Sequence, residues 1–243
     1  MDKDPRQLFP SFKGFYRSGI IVSIEMITLP IQLRSVIGNR QAMQQCGAAV
    51  WDTLINAWLR LKHTGWVMRG LQPCTIYISE DAKEVQFVDL LSMTDTDAET
   101  THPVRSHQPY SCLDEFPNDK TAVSDPFLDI HSLGVILLEI LVGTDIILSC
   151  GCWENIVELI NVCEDYIDPD TASLLHALIG KSLDAKMETY FEEVFYIKPE
   201  LVTENIRAMD YAVKENRILI DKQASVMGML KRHQVVAKET WGV

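Results

Sequence analysis

The chain has 243 residues, of which 47% are apolar and 23% charged, with 22 basic against 34 acidic side chains and a net charge of −12. That balance is ordinary for a folded protein of one large domain or two small ones, and it excludes disorder, collagen-like repeats and low complexity as the main state. It also argues against a nucleic-acid binder, which needs a basic face, and against an anionic membrane surface.

Residues 1–18, polar and holding Pro5, Pro10 and Gly14, read as an irregular N-terminal arm. Gly19 to Ile27 is rich in β-branched residues and predicts a strand. Leu29 to Ile37 predicts a short helix stopped by Gly38, and Gln41 to His63 a long amphipathic one, with apolar residues at 46, 50, 54, 57, 58 and 61. Thr64-Gly65 ends it. Trp66 to Ile78, interrupted by Pro73, and Glu84 to Leu91 predict a β-hairpin about a turn at Glu80 to Lys83.

Residues 92–126 lack periodicity and predict a long loop. Residues 81–119 hold nine acids and two bases, either a solvated loop or a surface for a basic partner. Asp129 to Gly143 is apolar nearly all round, so it predicts a helix buried on every side, with Asp129 as its N-cap and Gly143 as its stop. Further helices are predicted over 152–164, 170–182, 200–216 and 219–236. Val202, Ile206, Met209 and Val213 share one helical face, which either packs on its own domain or docks in a partner's groove. Ile220, Ala224 and Met227 share another, and Lys231, Arg232 and His233 form a small basic group.

The start of the chain has no apolar leader, and Leu133 to Leu148 is too short to span a bilayer, so neither secretion nor membrane insertion is expected. The six cysteines (46, 74, 112, 150, 152 and 163) fit neither a disulfide framework nor a zinc site. Cys150, Cys152, Cys163 and His176 are better read as buried thiols and a helix histidine than as metal ligands. A reducing, intracellular compartment is the simplest expectation.

Four motifs in order carry a resemblance. D-I-H-S-L-G-V-I-L-L-E-I-L-V-G at 129–143 resembles the central D-x-W-S-L-G helix of the C-terminal lobe of eukaryotic protein kinases, with His131 in place of the Trp. V-M-R-G-L-Q-P-C-T-I-Y-I at 67–78 resembles the catalytic loop V-H-R-D-L-K-P-x-N-I-L-x, V-D-L-L at 88–91 stands where x-D-F-G stands, and Tyr110 to Asp114 resembles Y-x-A-P-E. The strand ending near Ile27 is similar to the family's hinge strand. The resemblance implies a mainly α fold with a few short strands. It divides the chain into an arm (1–18), a C-lobe-like domain (19–190) and a helical extension (191–243).

The same motifs imply lost chemistry. Phosphoryl transfer needs a base, a phosphate clamp and positioned metals. Gly70 stands for the base Asp, Gln72 for the loop Lys, Thr75 for the metal-binding Asn and Met68 for the His. Asp89 keeps the metal-binding position, but Leu90 and Leu91 replace the Phe and Gly that follow it. No G-x-G-x-x-G occurs, and about eighteen residues precede the hinge-like strand, too few for an N-terminal lobe. Asp129, in the family, hydrogen-bonds the catalytic-loop amides, so the resemblance implies that it holds the loop. Asp184 to Glu188 aligns with the D-P-x-x-R stretch and sets Glu188 against Asp114, where the family pairs opposite charges.

The expectation is therefore a non-enzyme with no catalytic, cofactor-binding or metal-binding residues. It is a protein–protein interaction scaffold or a structural subunit of a larger complex, cytoplasmic or cytoskeletal and ciliary. It is similar in architecture to the non-catalytic KIND domain, with N-I-V-E-L-I-N-V-C-E-D at 155–165 in keeping. The alternative is a nucleotide-regulated pseudokinase that works with a separate partner, for which Asp89 is the one argument.

Overall fold

The long helix predicted from the 3.6-residue stripe is present. In the computed structural model, which describes residues 5–19, 21–90, 92–95, 109–110, 127–179 and 197–214, it runs Arg40–His63 (α2). Asn39 caps it through its side chain, which accepts from the Ala42 amide at 3.1 Å. A shorter helix, Leu33–Ile37 (α1), precedes it. It starts later than the Leu29 expected, because Ile31–Gln32 (β3) is drawn into a sheet with Ile76–Ile78 (β5).

β5 pairs antiparallel with Val85–Phe87 (β6), the predicted hairpin, in the order β3-β5-β6. The turn is held by Ser79, whose hydroxyl accepts from the Lys83 and Glu84 amides. Trp66–Val67 (β4) pairs with Thr94–Asp95 (β7).

The chain start departs from expectation. Ser11–Ser18, read as an irregular arm, is a strand (β1) paired antiparallel with Ile21–Ile27 (β2). Gly19, which follows β1, sits at φ +63°, the left-handed backbone that a glycine adopts without steric cost. A register shift between Phe12 and Gly14 breaks the alternation that would have marked the strand in sequence.

The core sits around Phe127–Val142 (α3). Every residue from Leu128 to Val142 is buried, as its apolar circumference dictates. Thr144–Cys150 (α4), Trp153–Cys163 (α5) and Pro169–Ile179 (α6) follow, and α6 packs along α3. Pro199–Lys214 (α7) lies against both α2 and α3, burying Val202, Ile206, Met209 and Ala212 in the same core. The apolar face of residues 202–213 thus packs on its own molecule. The helix predicted over 219–236, the basic group at 231–233 and most of 96–126 lie outside the described residues.

A close approach fixes the packing of α3 on α6. A Cβ on Gly134 would fall 2.7 Å from Leu178 Cβ and from Ile179 Cγ1, so α3 and α6 touch backbone to side chain there. Gly134→Ala gains about 1 kcal/mol of helix propensity but forces about 1–3 kcal/mol of overpacking. The expected result is a net loss, read as a lower midpoint in urea with an unchanged slope; a gain would show that α6 yields freely.

At the other end of α3, the Arg40 guanidinium donates to the carbonyls of Ile140 (2.8 Å) and Leu141 (2.6 Å) while Nε pairs with Asp210 at 2.8 Å. It thereby satisfies carbonyls that a helix C-terminus leaves open and joins α2, α3 and α7. Asp168, ahead of α6, accepts from the Asp170 and Thr171 amides, and Asn205 of α7 donates to it at 2.6 Å. Among the described residues no helix is long and apolar enough to cross a membrane.

Candidate functional site

The segment Val67 to Thr75 carries the residues that the sequence singled out. β4 leads into it, and a 3-10 turn, Pro73–Thr75, leads out to β5. Its backbone is unusual at Arg69, whose φ of +62° is the left-handed region that non-glycine residues avoid.

Asp129 answers that strain. Its two carboxylate oxygens accept from the Met68 and Arg69 amides, each at 2.8 Å, and the Trp58 side chain of α2 adds a third hydrogen bond. Asp129 is in the first turn of α3, and its side chain serves the loop rather than capping the helix as expected. Burial pushes its carboxyl up to about 6, even though the Met68 and Arg69 amides, Trp58 and the Arg69 charge all pull it down. Burial in turn pulls the Arg69 guanidinium down, with Asp129 opposing.

The loop is held from other sides too. Gln32 donates to the Cys74 carbonyl at 2.7 Å, and the Val88 amide donates to the Thr75 carbonyl at 2.9 Å.

Gly70, Asp89 and Ser92 lie together. A Cβ on Gly70 would lie 3.6 Å from Asp89 Oδ2 and 3.5 Å from Ser92 Oγ, so the glycine faces the Asp89 carboxylate. Ser92 donates to Asp89 at 3.0 Å. Thr75 turns its hydroxyl back onto the Gln72 carbonyl at 3.0 Å, and Gln72 itself is buried. The pair Asp114 and Glu188, and Leu91, lie outside the described residues.

Two features were not read from the sequence. The first is a buried polar cluster. Tyr110 donates to Glu139 Oε2 at 2.5 Å, Thr144 donates to Oε1 at 2.8 Å, and Arg34 Nη1 lies 3.5 Å from Oε1. Arg34 Nη2 also donates to the Tyr110 hydroxyl at 2.9 Å, with its guanidinium over the ring. Burial raises the Glu139 carboxyl, and burial with the Glu139 charge raises the Tyr110 phenol. The cluster ties α1, residue 110, α3 and α4 together, so it secures the frame beneath the loop. The second is the β1–β2 hairpin, whose Phe12, Phe15, Tyr16, Ile21, Ile24 and Ile27 are all exposed.

Elsewhere, a cavity of about 680 Å³ opens between Gln7, Asp52, Asn56, Arg60, Lys83 and Gln86. Among the described residues no group of three or more His, Cys, Asp or Glu is placed to hold a metal ion. Burial pushes the Cys150 thiol up to about 11 and Cys163 to about 12, which leaves both unreactive. His176 pairs with Glu164 at 2.6 Å.

No known family model matches this chain, and no curated protein is significantly similar to it.

Proposed function

We propose that the chain is a catalytically inactive protein related to the C-terminal lobe of protein kinases, and that it works as a protein–protein interaction scaffold or a structural subunit of a larger assembly in the cytoplasm, cytoskeleton or cilium. The observation that carries the reading is the contrast within one loop. Asp129 grips the Met68 and Arg69 amides, the contact that the kinase family makes with its catalytic loop, yet the position facing Asp89 is Gly70. The device that shapes the loop is kept, and the side chain that would take a proton from a substrate is missing. Thr75, spent on the Gln72 carbonyl, and buried, uncharged Gln72 support the same reading. An apolar hairpin at the edge of the molecule supports binding as the retained activity.

The test has two arms. In gently prepared cell extract the endogenous protein should run in a particle much larger than 27.6 kDa, and the co-fractionating proteins then identify the assembly. Migration at the size of the lone chain removes the assembly reading. In a thermal melt, millimolar ATP with magnesium should leave the midpoint unchanged. A stabilisation lost on Asp89→Ala would instead favour the nucleotide-regulated pseudokinase that needs a partner.

A further inference from the structure

Among the described residues the β1–β2 hairpin shares no strand pairing with the rest of the fold. It forms a two-stranded sheet of its own, and a lone pair of strands is marginal in water. Its register sets Phe12 opposite Met26 and Phe15 opposite Ile24, so these four share one face, while Gly14 opposite Glu25 and Tyr16 opposite Ser23 share the other. On the first face Phe12 is 67% exposed, Phe15 60% and Ile24 51%. On the second, Tyr16, Ile21 and Ile27 are exposed as well, and Tyr16 and Lys13 both bond Glu25. A hairpin that shows apolar side chains to water on both faces is a surface that a partner covers.

The sequence of β2 points to the partner. I-V-S-I-E-M-I, residues 21–27, has the same residue classes read in either direction about Ile24. We propose that the hairpin is a self-association surface, in which the β2 edge pairs antiparallel with β2 of a second copy about a two-fold axis at Ile24, making one four-stranded sheet. This rests on the binding function proposed above and names its partner.

In that register Ile21 meets Ile27, Val22 meets Met26, Ser23 meets Glu25 and Ile24 meets itself. Every apolar residue faces an apolar one, and no like charges are opposed. Shifting by two residues one way sets Glu25 against Glu25, and the other way sets Ile21 against Glu25. Shifting by one sets Ile24 against Glu25 and Ser23 against Met26. The favoured register instead runs Phe12, Phe15, Ile24 and Met26 of both copies into one continuous apolar face.

Charge permits it. The whole chain carries −12, but residues 11–27 hold two bases, Lys13 and Arg17, and one acid, Glu25. The contact is therefore made at a segment that carries no net negative charge, and charges farther than about 8 Å are screened at physiological salt.

The experiment is sedimentation velocity on the full chain across the micromolar range. Wild type should show a concentration-dependent dimer. Ile24→Lys, which sets two ammonium groups against each other on the axis, should weaken dimerisation by about a hundredfold. Ile24 is half exposed, so that variant keeps its circular dichroism and melting temperature. As a second readout, Ile24→Cys should give an oxidant-driven covalent dimer above the wild-type background, since opposed residues across such a pair lie within disulfide reach, and Tyr16→Cys should not. A wild type that stays monomeric throughout, or an Ile24→Lys variant that dimerises like wild type, overturns the proposal. Monomer in this assay with a large native particle in extract overturns self-association and leaves the binding function standing; the lone-chain size in extract would remove that function itself.

Discussion

Glu139→Ala should cost about 3–5 kcal/mol of stability, because it removes a fully buried carboxylate that buried Tyr110 and half-buried Arg34 and Thr144 all bond. Tyr110 and Thr144 donate to the Glu139 carboxylate and Arg34 Nη1 lies 3.5 Å from it, while Arg34 Nη2 also donates to the Tyr110 hydroxyl at 2.9 Å. At about 2–4 °C per kcal/mol for a chain of this size, the midpoint of thermal unfolding should fall by roughly 10–15 °C. Glu139→Gln keeps the shape and one acceptor and should lose much less. The double variant Arg34→Met with Glu139→Met should recover part of the loss, since removing both charges relieves the desolvation that each single change leaves behind. If Glu139→Ala melts within a few degrees of wild type, the cluster is not what holds α1 to α3.

The second large effect is concealed in the wild type and appears on substitution. Asp129 and His131 are both buried in α3, and burial shifts them in opposite directions. The Asp129 carboxyl rises from 3.8 to about 6, so its contribution to stability is complete below pH 3.8 and is lost as the pH rises towards 6. The His131 imidazole falls from 6.5 to about 4, because burial outweighs the weaker upward pull of the Pro109 and Ile179 backbone. Its contribution is complete above pH 6.5 and is lost as the pH falls towards 4.

Each shift corresponds to about 3 kcal/mol across its window. The windows nearly coincide and the slopes oppose, so the two terms offset each other between pH 4 and 6.5. His131→Phe should therefore gain on wild type by about 3 kcal/mol as the pH is lowered from 6.5 to 4, and Asp129→Asn should lose on it by about as much over the same range. Urea unfolding at four or five pH values measures both differences, and parallel profiles for variant and wild type would refute the assignment.

What was legible in the sequence had a local cause. α2 shows a stripe with a 3.6-residue period, and α3 is apolar on every side, so each announces its burial without reference to the rest of the chain. The hairpin of β5 and β6 is marked by its turn residues. What was not legible needed a distant partner. Asp129 looks like a cap because it opens an apolar run, but its oxygens go to amides sixty residues upstream, at Met68 and Arg69. Glu139 looks like a lone acid in a buried helix until Arg34 and Tyr110 are brought to it. β1 is masked by the irregularity after Phe12, which spoils strict alternation, and by its exposed aromatics, which look like arm residues when the pairing strand is not considered. Within the loop, the sequence pointed to Gly70 and Asp89 together, and they are neighbours. That Thr75 would turn its hydroxyl inward followed only from the 3-10 turn.

The packing of α7 on α2 bears on how the protein is made. The surface of α2 that receives Ile206 at Gly47 is complete at His63, but its cover begins at Pro199. At about 5–20 residues per second, the ribosome leaves that surface open for on the order of ten seconds on every chain. For that interval the nascent protein displays an uncovered apolar surface, a substrate for chaperones and a seed for misassembly between neighbouring polysomal chains.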